Sequence, residues 1–90
     1  MKTGWAWYEE SDYPRILQIM EDAERLPATY ARWREKAETA ERELKGRGHE
    51  VVRAMISPDT FPAWCRSHGK KVDAQARILF ASYVAAGKTS

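Results

Sequence analysis

A single cysteine in 90 residues has no partner within the chain, so no internal disulfide staples this fold. Histidine is nearly as scarce. His49 and His68 together with Cys65 supply three candidate ligands, fewer than the four a structural zinc site wants, and no second cysteine can complete the set. Long apolar runs are missing too: the uninterrupted stretches are a few residues long, against roughly 20 for a bilayer-spanning helix. No basic leader followed by an apolar run and a small-residue cleavage site opens the sequence, so the expected location is the cytoplasm, with no membrane partner. Nor does one sign of charge dominate. Fifteen Lys plus Arg stand against 13 Asp plus Glu, and a net charge of +2 gives only a weak field for attracting polyanions. The sequence also has no phosphate-binding glycine loop, no nucleophile beside its base and no carboxylate pair in a plausible cleft. These absences predict a protein that is not an enzyme and needs no cofactor or metal.

What is abundant is aromatic: four Trp and four Tyr in a chain that is 43% hydrophobic. The length suits one domain, placed at residues 1–86, with residues 87–90 expected to fray. A chain this size buries roughly 60–65% of its unfolded surface, enough for modest independent stability.

Trp5, Ala6, Trp7 and Tyr8 read as a short strand, with the two tryptophans on one face. Ser11 or Asp12 is positioned to cap a first helix, with Pro14 in its first turn; Tyr13, Ile16, Leu17, Met20 and Ala23 form its apolar stripe, and Leu26-Pro27 end it. Thr29 caps a second helix carrying the cleanest periodic signal, Tyr30, Trp33, Ala37, Ala40 and Leu44, while Arg32, Arg34, Glu35, Lys36, Glu38, Glu41, Arg42 and Glu43 are expected to be wet. Gly46 and Gly48 stop it. The alternating segment Val51–Ile56 reads as a strand, paired either with the N-terminal aromatic run or with a second copy of itself. Ser57 or Asp59 is expected to cap a third helix bearing Phe61, Trp64 and Cys65, closed by Gly69. Asp73 caps a fourth, with Ala76, Leu79, Phe80 and Tyr83 on one face and Ile78 and Val84 widening it. The fold class is therefore α+β, about four helices on a small two-stranded sheet in the order β-α-α-β-α-α.

The N-terminal Trp/Tyr cluster, Leu26-Pro27-Ala28-Thr29-Tyr30 with Trp33, Ile56-Ser57-Pro58, Phe61, Trp64-Cys65, Gly69 and Ala76-Arg77 together resemble a group of small bacterial proteins without an assigned activity. The similarity spans nearly the whole chain. It implies a bacterial origin and transfers no catalytic or binding residue.

Cys65 and His68 share a helical face, but Cys65 adjoins Trp64 and lies at helical spacing from Phe61, which favours a buried, inert thiol. Glu9, Glu10 and Asp12 cluster at a helix start, where negative charge complements the dipole. Two binding classes remain. The segments around Phe61–His68 and from Asp73 onward have the outline of a helix-turn-helix, with Lys70, Lys71 and Arg77 as nucleic-acid contacts. The leading reading is a protein-interaction module or homodimer. It draws on Trp5 and Trp7 at the chain start and on the seam Trp33, Ala37, Ala40 and Leu44, which otherwise serves the helix's own core.

Overall fold

The computed structural model describes residues 2–87. Strands β1 (Lys2–Trp7) and β2 (Glu50–Met55) pair in parallel, in register from Lys2 opposite Glu50 to Trp7 opposite Met55. The helices are α1 (Tyr13–Ile19), α2 (Tyr30–Gly46), α3 (Phe61–Ser67) and α4 (Ala74–Ala85), with 3-10 turns at Glu10–Asp12 and Ala23–Arg25. The expected α+β class and element order are those observed. The N-terminal aromatic run, not a second copy, is the neighbour of β2. Beyond Gly87, the expected frayed tail lies outside the described residues.

Two of the helix caps form as the sequence indicates: Thr29 Oγ1 accepts from the Arg32 N–H at 3.3 Å and Asp73 Oδ1 from the Ala76 N–H at 3.2 Å. Gly48 follows α2 with φ 89°, a conformation side-chain-bearing residues resist. Other boundaries differ. No side-chain cap bond starts α1, and a 3-10 turn precedes it. That helix also stops well before Leu26. Met20 is extended, because the Glu21 N–H donates to the Val72 carbonyl at 2.7 Å and Asp22 takes two bonds from Arg77, each 2.8 Å. These tertiary bonds outweigh the weak propensity for two more helical turns. Before α3, Ser57 shapes a turn instead of capping the helix. Its Oγ accepts from the Asp59 N–H at 3.2 Å and its carbonyl from the Phe61 N–H at 2.9 Å.

Strand alternation sends Trp5, Trp7, Arg53 and Met55 toward the α2 side of the sheet and Gly4, Ala6, Val52 and Ala54 toward α4. Both faces are thus covered, as parallel sheets require. On the α2 side Trp33 is the hub, with ring centroids 5.1 Å from Trp7, 4.7 Å from Tyr8 and 5.4 Å from Tyr30. On the other side α4 lies between the sheet and α3, whose Phe61 and Trp64 meet Phe80 edge-on at 5.5 and 5.1 Å. Helix α1 closes the carboxyl ends of the strands with buried Tyr13 and Ile16.

Two side chains depart from their expected environments. Glu41 is buried rather than wet, because Arg53 reaches across from β2 and donates to both carboxylate oxygens at 2.8 and 2.9 Å. The same guanidinium lies 3.9 Å above the Trp7 ring, so one cation neutralises Glu41 and covers an aromatic face. Ile78, expected to widen the buried face of α4, is 71% exposed. Small Ala81 lets the helix approach β1 closely, and the residues that pack inward leave Ile78 on the rim.

Candidate functional site

The feature that stands out from this architecture is the unpaired edge of β1. The Ile56 N–H donates to the Trp7 carbonyl at 2.9 Å, which turns the backbone groups of Trp7 toward β2. By the alternation of a parallel ladder, Thr3 and Trp5 also bond inward, and Gly4, Ala6 and Tyr8 present their N–H and C=O groups outward. The Tyr30 hydroxyl donates to the outward Tyr8 carbonyl at 3.2 Å. For Gly4 and Ala6 no backbone partner outside the sheet occurs among the described residues.

These groups border a groove of about 490 Å³ that runs along the strand from Thr3 to Ala6 and on to Tyr8. Trp5, Leu26, Trp33 and Leu44 make one wall, and Ala74, Arg77, Ile78 and Ala81 make the other. The lining is overwhelmingly apolar. Burial of such a surface by a partner is favourable at about 25 cal/mol per Å² of apolar area removed from water. Strand β2 differs in carrying the charged side chains of Glu50 and Arg53, and charged side chains are a common means of blunting a sheet edge.

The residues singled out in the sequence fall in two places. Trp5, 36% exposed, joins Trp33 and Leu44 along the groove, whereas Trp7 and Ala37 are sealed in the core at 3% each. Trp33 touches the groove with one edge and is otherwise core. Ala40 lies on another flank of α2, beside Glu35, Lys36, Thr39 and Glu43. Thr3, Gly4, Leu26, Ile78 and Ala81 were not anticipated as site residues. The one sequence signal was Gly4 within an aromatic strand, since glycine in a strand marks close approach of another backbone.

The cations of the helix-turn-helix reading are not gathered into one surface. Lys70 and Lys71 are exposed in the connection between α3 and α4, beside Arg25, Asp22 and Asp73. Arg77 is turned inward, its side chain 12% exposed and held by Asp22, whose carboxyl is kept below its ordinary value by that hydrogen bond. The outward positions of α4, Ala74, Gln75, Ile78 and Ser82, carry no positive charge.

Cys65 is fully buried, and burial raises its thiol pKa. His68 does not face it as a base. The imidazole stacks on Trp64 at 4.0 Å between centroids, and its Nδ1 lies 2.8 Å from the Trp64 carbonyl. Native protein should therefore resist a thiol-specific chromogenic reagent and react stoichiometrically once denatured; rapid reaction of the native state would place Cys65 at the surface. His49 instead bonds Thr3, with Nδ1 2.8 Å from Oγ1. Glu9 and Glu10 are exposed around the 3-10 turn. No group of three or more His, Cys, Asp or Glu residues is arranged to hold a metal ion among the described residues, and no helix there is long and apolar enough to cross a membrane.

Parallel sheets in α/β proteins commonly take ligands beyond the carboxyl ends of their strands. Here that position is filled by Tyr8, Tyr13 and Ile56, all buried. Burial pushes the Tyr8 phenol from 10.0 up to about 12. The neutral phenol is thus favoured by folding, so this contribution to stability is complete below pH 10.0 and declines as pH rises toward about 12. Urea midpoints measured across that range should fall for wild type and fall less for Tyr8→Phe; parallel decline of both would contradict the assignment.

No protein-family model, curated protein or solved structure matches this chain in sequence or fold.

Proposed function

We propose that this domain is a protein-interaction module that takes an extended polypeptide segment along the open edge of β1, without catalysis. The carrying observation is the coincidence of outward backbone groups at Gly4 and Ala6 with a continuous apolar lining. Strand addition uses both at once: main-chain bonds supply affinity, and alternate side chains of the incoming strand meet the two walls. A third strand also extends a parallel pair that is otherwise minimal.

The test is selection from a displayed library of random linear peptides on immobilised protein, in parallel with an Ile78→Lys variant. Ile78 is exposed, so the substitution charges the groove rim without opening the core. The reading predicts enriched peptides with alternating apolar residues that bind wild type and not Ile78→Lys. No enrichment over blank resin, or peptides indifferent to the substitution, would defeat it.

A further inference from the structure

We infer that the segment received by the groove is β1 of a second copy, paired antiparallel about a two-fold axis at Trp5, so that two domains share one four-stranded sheet. This rests on the interaction reading above and names its occupant.

The first argument is register. A closed homodimer presents the same patch from both subunits. In an antiparallel ladder, residues that exchange backbone bonds must both turn their groups to the shared edge. Lys2, Gly4, Ala6 and Tyr8 are the outward residues of this edge, and Gly4 of one copy opposite Ala6 of the other satisfies the free groups of both while setting outward Lys2 against outward Tyr8. That pairing centres on Trp5. Its backbone faces β2, which makes Trp5 against Trp5 a non-hydrogen-bonded pair, the kind in which cross-strand side chains come closest. Trp5 is the tryptophan that the domain leaves most open, with 36% of its surface exposed.

The second argument is charge. Lys2 opens the strand, and Glu9 and Glu10 follow its end. Lys2 is exposed, and its contact with Glu50 is long, at 4.0 Å. Antiparallel pairing about Trp5 places Lys2 opposite Tyr8 of the second copy, beside the two glutamates there. A parallel arrangement would set lysine against lysine and glutamates against glutamates. The rest of the shared edge, Thr3 to Tyr8, carries no charge to oppose the contact. The third argument is the rim, where Ile78 stands 71% exposed on the wall beside this strand and gains cover from the second copy.

Sedimentation velocity of the full chain over a wide concentration range tests the inference. Wild type should pass to twice the 10.4 kDa chain mass as concentration rises. Ile78→Lys should remain at the chain mass with an unchanged circular dichroism spectrum. Lys2→Glu should weaken the dimer at least tenfold, and adding Glu9→Lys and Glu10→Lys should restore it. For register, Trp5→Cys should cross-link to itself on mild oxidation, and Thr3→Cys, displaced from the axis, should not. Wild type that stays at the chain mass at every concentration overturns the inference, as does a dimer indifferent to Ile78→Lys. If such a monomeric protein still selects peptides that Ile78→Lys loses, the second copy is wrong and the interaction reading stands. If neither dimer nor peptide is found, both fall.

Discussion

Trp33→Glu is expected to leave the chain unfolded at ambient temperature, with helical circular dichroism lost. Trp33 is 7% exposed and meets Trp7, Tyr8, Tyr13 and Tyr30 within 6.1 Å between ring centroids. Truncating a core tryptophan costs roughly 3–5 kcal/mol. A carboxylate left among aromatic rings adds several kcal/mol more, because the neighbouring guanidiniums already serve other carboxylates, Arg53 bonding Glu41 and Arg34 bonding Glu38. At about 0.05–0.15 kcal/mol per residue, the whole domain has roughly 5–13 kcal/mol to lose. Trp33→Phe keeps most of the apolar contact and should remain folded. A folded Trp33→Glu protein with the wild-type spectrum would show that this side chain belongs to the surface, and the α2 seam with it.

The second large effect belongs to the smallest side chain. At Gly4 an added Cβ would overlap the backbone carbonyl of Ala81, and backbone cannot swing aside as a flexible side chain can. Helix α4 would have to lift from β1, disturbing the contacts of Phe80 with α3 and the Arg77–Asp22 bonds. Overpacking of this kind costs roughly 3 kcal/mol. For a domain of this size that corresponds to a Tm lower by roughly 12–24 °C. Gly46→Ala is the control, since nothing lies within 4 Å of the new methyl and α2 includes that residue. It should be neutral or stabilising by up to about 1 kcal/mol. Equal losses at both glycines would remove the close approach as the explanation.

The sequence made the elements visible where the cause is local. The α2 stripe, the Thr29 and Asp73 caps and the left-handed Gly48 each depend on neighbours within a few residues, and they were legible. Boundaries failed where distant residues intervene. Val72 and Arg77 end α1 from more than 50 positions away, and Arg53 makes Glu41 a buried residue on an otherwise charged helix. The groove was half legible for the same reason. Aromatic density pointed to Trp5 and Trp33 and the helical spacing of α2 to Leu44, but the opposite wall exists only because Gly4 admits α4, and Ile78 reads as core until that packing is known.

Residue-resolved amide hydrogen exchange at Gly4 and Ala6 tests the central claim most directly, since both N–H groups point out of the β1 edge. The account predicts fast exchange in dilute protein, with protection growing as concentration rises and absent in Ile78→Lys. Exchange at unstructured-peptide rates up to the highest concentration would show that no strand is added by a second copy. Strong protection in the dilute monomer would show that the edge is already closed within the chain.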